Sequence, residues 1–330
     1  DRQGQSELSS LVESARNGDI EAMCDLGIIY YHGKKTLKDP FKAKCWIKKA
    51  YDNGSNRAEK LWNDLELWRY SGKCEISFDD EQLPKYKRGE VYIEPTSGMA
   101  FVFIPKGCFI MGCHESAEKC KRDEKPAHKV CLDGFWMGKY EVTQKEWKRI
   151  TRINPSRFLG NDQHPVENIS FEDIKEFMSI LNSKTRQKFL LPSEAQWEYA
   201  CRNGGKKINF SWGSDTYRPN ENCGTCESGS FQSETAPVGS YPSNELGLFD
   251  MAGNVKEWCR DIYSKKAYAN YKKKNPLYSG KGSSRVVRGG SFTDTTLKLR
   301  CSARDKFLSG IKSDNIGFRL VLTRDSNKNW

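Results

Sequence analysis

From about residue 97 to about 323 the chain consists of short apolar runs, two helix signatures and long stretches rich in Gly, Ser, Asn and Pro. A chain of 330 residues with 37% hydrophobic residues can bury a sizeable core. Long irregular loops, however, stay ordered only with outside help, and disulfides and bound ions supply it. Cysteine offers the first of these braces. There are 12, an even number. Cys108, Cys113, Cys120 and Cys131 crowd one segment, and Cys223 and Cys226 form a Cys-x-x-Cys. The crowded segment has irregular spacing and no paired Cys-x-x-Cys, which argues against zinc. We read most of these cysteines as disulfides, hence an exported protein (periplasmic, cell-surface or secreted). The chain opens at Asp1 with no signal-type apolar segment, so no leader is visible within it.

Mean hydropathy is −0.77. No run of about 18 apolar residues is present, so no membrane-spanning helix is expected. The net charge of +11 raises the question of an acidic partner. The lysines are spread along the chain, with local runs at Lys265-Lys266 and Lys272-Lys273-Lys274. No nucleic-acid motif accompanies them, so they read as a solvated surface and nucleic acid is not an expected partner.

Residues 7–65 read as helices. Leu8, Leu11, Val12 and Ala15 fall at helical spacing, and Gly18 can end that helix. Ala43, Trp46, Ala50 and Tyr51 make another apolar face, closed by Gly54, and Ala58, Leu61 and Trp62 begin a further helix. This small-large spacing resembles Sel-type repeats, relatives of the tetratricopeptide repeat. Such units stack to bury their faces, and fewer than about three seldom stand alone. The expectation is therefore that this piece docks on the larger domain, either as packing or as a partner-binding scaffold. Residues 71–96 read as a connector, and Met99–Pro105 as a hydrophobic strand. Ser170 with Asp173 predicts a capped helix through Leu181, and Ser193 with Gln196 a second over Pro192–Ala200.

A series of motifs in residues 97–323 carries a family resemblance. In order they are Phe109-Ile110-Met111-Gly112, Gly138-Lys139-Tyr140-Glu141-Val142-Thr143 and His164-Pro165-Val166-Glu167-Asn168-Ile169-Ser170. Then come Leu191–Ala200, Ala236-Pro237-Val238-Gly239-Ser240, Gly247–Trp258, Arg285–Phe292 and Asn315–Leu320. Together they resemble the formylglycine-generating enzyme, or sulfatase-modifying factor, family. The resemblance implies an α+β fold, an irregular variant of the C-type lectin fold. The expected organisation is a Sel-type helical region at 1–70, a connector at 71–96, the family domain at 97–323 and a tail at 324–330.

Enzymes of that family use oxygen and a copper ion held by two cysteines beyond the Gly-Gly-Ser motif, and convert a sulfatase cysteine to formylglycine. Soft thiolates suit Cu(I). Here the interval Thr293–Arg300 contains no cysteine. Ser291 matches a family active-site serine, but a serine alone neither binds copper nor transfers electrons. Copper is therefore not an expected cofactor, and the oxidase is the alternative reading. An iron-dependent sulfoxide synthase is set aside, because His32, His114, His128 and His164 form no three-histidine cluster in the helical region.

The resemblance also implies calcium. Asp250 and Glu257 match ligand positions by their side chains, and Gly253 and Val255 by their carbonyls, a mixture that calcium takes in irregular loops. A second calcium site would fall at Asn222 and the Cys223 carbonyl, completed near Ser230. Cys201 and Cys301 match a structural disulfide. Cys223–Cys226, Cys113–Cys120 and Cys108–Cys131 are the local pairs expected, while Cys24, Cys45, Cys74 and Cys259 stay unassigned. Some family members bind ligands through the window between Gly-Gly-Ser and Asn-Ile-Gly-Phe-Arg. The candidates here are Ser291, Thr293, Asp294, Thr295, Lys298, Asp305, Lys306, Phe307, Leu308, Lys312 and Asp314. Phe307 and Leu308 are either an exposed patch or core. The expected function is a non-catalytic, calcium-braced binding or display protein, with an unidentified protein or surface ligand as partner.

Overall fold

The computed structural model describes residues 10–15, 17–33, 39–70, 74, 86–113, 120–214, 222–224 and 233–322. The chain divides into two compact units, residues 1–85 and 86–330.

In the first unit residues 10–15 are helical. Three capped helices follow: α1 (Ile20–His32), α2 (Pro40–Asp52) and α3 (Asn56–Asp64). Each begins where a short polar side chain accepts an otherwise unpaired backbone N–H: Asp19 from Ala22, Asp39 from Lys42, and Ser55 from Ala58. Pro40 adds its fixed φ at the first turn of α2. Gly27 lets α1 approach α2 closely, since a Cβ there would sit 2.3 Å from Ile47 Cγ1. Met23, Leu26, Trp46 and Ile47 fill the core of this unit, and Cys45 is bonded to Cys74. Among the described residues no helix is long and apolar enough to cross a membrane.

Among the described residues the second unit is built from short strands and three α-helices. A five-stranded sheet runs in the order β1 (Val91–Ile93), β2 (Ala100–Ile104), β5 (Phe135–Gly138), β11 (Val321–Leu322), β6 (Phe189–Leu190). A four-stranded sheet runs β10 (Ile316–Gly317), β7 (Lys256–Ile262), β8 (Ser284–Arg288), β9 (Asp305–Leu308). A hairpin pairs β3 (Gly107–Met111) with β4 (His128–Leu132). The helices are α4 (Gln144–Thr151), α5 (Phe171–Thr185) and α6 (Glu194–Cys201). All three open with a reciprocal capping box, including the expected Ser170–Asp173 and Ser193–Gln196 pairs. Helix α5 runs four residues beyond Leu181, to Thr185.

Among the described residues two large apolar clusters and a small one around Phe210, Ala252 and Leu299 hold this unit. Trp147 stacks on Phe177 at 4.8 Å between α4 and α5, in a cluster shared with Trp258 and Phe318. Trp197 on α6 belongs to the other, with Val102, Met137 and Val286. Between the strands lie buried ion pairs. Glu198 of α6 takes Arg202 at 2.9 Å and Arg288 at 2.5 Å, and its burial is outweighed by these guanidinia, which hold its carboxyl below its ordinary range. Glu194 takes Arg304 through two bonds of 2.6 and 2.8 Å, and Glu124 takes Arg300 through two of 2.7 Å.

The expected cysteine pairing is observed where described. Cys108 and Cys131 lie directly opposite in the β3–β4 register and are bonded, as are Cys113–Cys120 and Cys201–Cys301. Cys223 is in a disulfide, while Cys226 lies outside the described residues. Cys24 and Cys259 are free and buried. The Cys201–Cys301 bond spans 100 residues. Removing it in a Cys201→Ala/Cys301→Ala variant should cost about 2–5 kcal/mol, read as a lower urea midpoint.

Candidate functional site

Strand β7 begins at the end of a tight loop, Asp250–Val255. Asp250 (φ 54°), Gly253 (φ 88°) and Asn254 (φ 57°) are all left-handed. Gly253 is required there twice over, since a Cβ would also lie 2.4 Å from the Asn222 carbonyl oxygen. This loop gathers three buried carboxylates around one guanidinium: Glu141, Asp250 and Glu257 with Arg319. Arg319 donates to Glu257 through Nε and Nη2, both at 2.7 Å, and Trp197 Nε1 donates to the same carboxylate at 2.9 Å. Arg319 also bonds the carbonyls of Gly138, Phe249 and Asp250. Asp250 Oδ2 accepts from the Gly239 N–H at 2.7 Å. Glu141 accepts from Asn254 Nδ2 at 2.8 Å and from the Val255 N–H at 3.2 Å.

The arrangement carries more negative charge than it neutralises. Burial, reinforced by the charges of Asp250 and Glu257, pushes the Glu141 carboxyl well above its ordinary range. Burial pushes Asp250 up to about 6. Beside them, Asn222 Oδ1 is buried with no hydrogen-bond partner. Carboxylate and amide oxygens are hard donors of the kind calcium takes, but Glu141, Asp250 and Glu257 form no group with their oxygens within 4.8 Å of one another. Asp250 offers oxygen chemistry that suits calcium, whereas Glu257 is engaged by Arg319 and Trp197 rather than being free for an ion. Glu141 and Asn254 are additions that motif matching missed. Glu141 stood in the Gly138–Thr143 motif, but nothing in its spacing linked it to the loop more than a hundred residues away. For the second expected calcium site, Asn222 and Cys223 are both buried, and Ser230 lies outside the described residues.

Beyond β8 the Gly289-Gly290-Ser291 segment turns past the start of β7. Ser291 is fully buried, and its Oγ donates to Asp294 Oδ2 at 2.7 Å. Lys256 Nζ lies 2.5 Å from the same Asp294 oxygen and 3.2 Å from Ser291 Oγ. Thr293 Oγ1 meets Ser291 Oγ at 3.0 Å and accepts from Asn315 Nδ2 at 3.1 Å. The hydroxyl of the motif serine is therefore held by an ion pair, with no thiol in its interval. Of the two free cysteines, Cys24 belongs to the first unit. Cys259 lies on β7, and burial, followed by the nearby Glu194 charge, pushes its thiol well up, which suppresses the thiolate a soft metal needs. Cys113, Cys120 and Glu124 cluster closely, but the two sulfurs are bonded to each other and the carboxylate is clamped by Arg300 and Ser302. That cluster is structural.

The other candidates in the window spread over its surface. Lys298 pairs with Asp305 at 2.9 Å, and Lys306 lies over the Tyr263 ring. Thr295 precedes a short 3-10 turn over Thr296–Lys298. Lys312 reaches Asp173, and Asp314 reaches Arg157. Phe307 packs against Trp258 from the edge of the core, whereas Leu308 is exposed, so the two residues divide between core and patch. Leu297 and Ile311 are exposed as well. An Asp294→Ala substitution strands the buried Lys256 ammonium and should cost about 3–5 kcal/mol, while Lys256→Met/Asp294→Leu should recover most of the loss. Chemical denaturation of both variants checks this.

Residues 88–324 match the sulfatase-modifying factor enzyme 1-like domain. The chain is 31% identical over 245 residues to the serine/threonine-protein kinase Pkn1 of Chlamydia trachomatis, covering 66% of this chain and 37% of the kinase. It thus spans little more than a third of the length of that relative. It is 34% identical to the formylglycine-generating enzyme of Streptomyces coelicolor over 56% of this chain and 60% of the enzyme. Among solved structures it is similar to PvdO from Pseudomonas aeruginosa, with a TM-score of 0.65 and 25% identity over 72% of this chain and 99% of that one. Matched across its whole second unit, this chain belongs to the family of sulfatase-modifying factor enzyme 1-like, or formylglycine-generating enzyme-like, domains.

Proposed function

We propose that this chain is a non-catalytic, calcium-braced binding domain whose ligand face is the window 293–314. The observation that carries this reading is the Ser291–Asp294–Lys256 cluster. The interval beyond Ser291, where the resemblance places the oxidase's two cysteines, holds no thiol, and its Asp294 carboxylate is joined to the Ser291 hydroxyl and the Lys256 ammonium by short bonds. Those groups are hard donors or a cation, and they do not suit Cu(I). The exposed Leu297, Leu308 and Ile311 in the same window supply apolar contact area. Relatives whose names include a protein kinase and a chaperone share the domain, as expected of a fold reused with different sites. The disulfides favour an exported location.

In this reading calcium is held by Asp250 with the Gly253 and Val255 carbonyls, beside Glu141, and offsets the loop's excess negative charge, while Glu257, the fourth ligand expected from the resemblance, stays bonded to Arg319 and Trp197. Asn222 and the Cys223 carbonyl are the candidates for a second ion. The alternative, a copper-dependent oxidase acting on a sulfatase cysteine, is favoured by the similarity to formylglycine-generating enzymes, that of Streptomyces among them.

Elemental analysis of the dialysed protein after separate calcium and copper loading tests the choice. About one calcium per chain without copper is the expected result. Stoichiometric copper with oxidation of a cysteine peptide would restore the oxidase.

Protons compete with the ion for Asp250. Its folded-state pKa of about 6 lies above the ordinary 3.8. In ion-free protein its contribution to stability is therefore full below about pH 4 and lost as pH rises through about 6. Calcium should raise Tm by several degrees at pH 7.5 and much less at pH 5. Asp250→Asn should remove both the pH trend and most of the calcium response in the same thermal scans.

A further inference from the structure

The connection between β7 and β8 is the most one-sided stretch of charge in the chain. No Asp or Glu occurs from Ile262 to Thr293, while Lys265, Lys266, Lys272, Lys273, Lys274 and Lys281 do. All six are exposed. Lys274 lies 3.4 Å from Asp133, and among the described residues the other five form no ion pair. The same connection lines a concave cleft of ≈ 260 Å³, bounded by Asn270, Tyr271, Lys272, Leu277, Tyr278, Ser279 and Gly280. It shares no lining residue with the window 293–314.

The cleft has fixed walls. Tyr271 and Tyr278 stand nearly parallel, 22° apart in plane and 6.4 Å between centroids. The Tyr271 hydroxyl donates inward to Asp261 at 2.6 Å, and the Tyr278 N–H donates to the same oxygen at 2.9 Å. The Lys273 carbonyl accepts from the Cys131 N–H at 2.7 Å, which pins the lysine run to β4. Two half-buried aromatic rings, a serine, an asparagine and a lysine therefore line a preformed, ring-sized hollow in a connection that bears five further exposed lysines.

We propose that this cleft and the lysines of its connection bind an acidic polysaccharide, a chain of sugar rings bearing carboxylate or sulfate groups. The tyrosine rings offer amphipathic surface to the less polar face of a sugar ring. Asn270 and Ser279 offer hydrogen bonds to hydroxyls. The lysines, as compact mobile point charges, suit irregularly spaced anionic groups along a polymer. Single-stranded nucleic acid fits less well, because it is held by a row of stacking platforms, one per successive base. The cleft provides one ring-sized site, in a domain braced by disulfides.

The test is calorimetric titration of the full chain with a heparin hexasaccharide at 50, 100 and 200 mM NaCl, beside a twelve-nucleotide oligothymidylate. Wild type should bind the saccharide more tightly than the DNA. Lys272→Gln/Lys273→Gln should weaken saccharide binding about tenfold and flatten its salt dependence. Tyr278→Leu, with folding checked by circular dichroism, should weaken binding at every salt concentration with the slope unchanged. Lys312→Gln, in the window 293–314, should leave saccharide binding unaltered, and this separates the cleft from the proposed ligand face. The proposal is overturned by undetectable saccharide binding, by equal or tighter DNA binding, or by loss with the lysine variant and none with Tyr278→Leu. The last outcome would reduce the effect to adsorption by charge.

Discussion

The Arg319–Glu257 pair is the contact on which the second unit's geometry rests. Its guanidinium closes two bonds on one carboxylate and reaches three carbonyls, on β5 and on the 247–250 turn. A planar fork of five N–H groups is the side chain able to satisfy so many acceptors at once. Both ions are fully buried. Such a pair contributes less to net stability than its Coulomb attraction suggests, because both partners lose hydration. Its greater effect is on arrangement, since any displacement of β5, β7 or the turn leaves a buried charge unmatched. The Glu198 pairs and the Arg304–Glu194 pair extend the same logic to α6, β8 and the hairpin. A fold with strands this short gains from such directional contacts what longer hydrogen-bonded ladders give other sheets.

Much of this was legible in the residues. The capping boxes at Ser170 and Ser193 are local, with every participant within three residues, and local signals survive in one dimension. The Cys108–Cys131 bridge was readable because the two cysteines lie close in sequence, on segments either side of one loop that pair as strands. Cys45–Cys74 was not, since neither position stands in a motif. The carboxylate cluster was half legible. Asp250 and Glu257 lie in one short motif, whereas Glu141 and Asn222 reach the loop through tertiary packing. The commitment of Glu257 to Arg319 was likewise hidden, because a motif names which atoms can donate to an ion and says nothing of which are already engaged.

The charge of the chain shows the same limit. Its lysines look scattered in the sequence and read as solvated surface. The β7–β8 connection carries six of them with no carboxylate of its own, and one, Lys272, lines a cleft behind which Asp261 and Glu194 accept from the Tyr271 hydroxyl. Net charge is a sum, and a sum conceals an asymmetry confined to one loop.

The window after Ser291 also bears on how such a domain can diversify. It is anchored at its start by the buried Ser291 and Phe292, midway by Cys301 bonded to α6, and at its end by the buried Ile316–Phe318. Between these fixed points Leu297, Leu308 and Ile311 point outward. Substitutions at those positions meet solvent rather than core, so recognition can drift without a matching penalty in folding. In the proposed reading the domain is a frame with exchangeable lettering, whose exposed window can change while its buried charges stay in place.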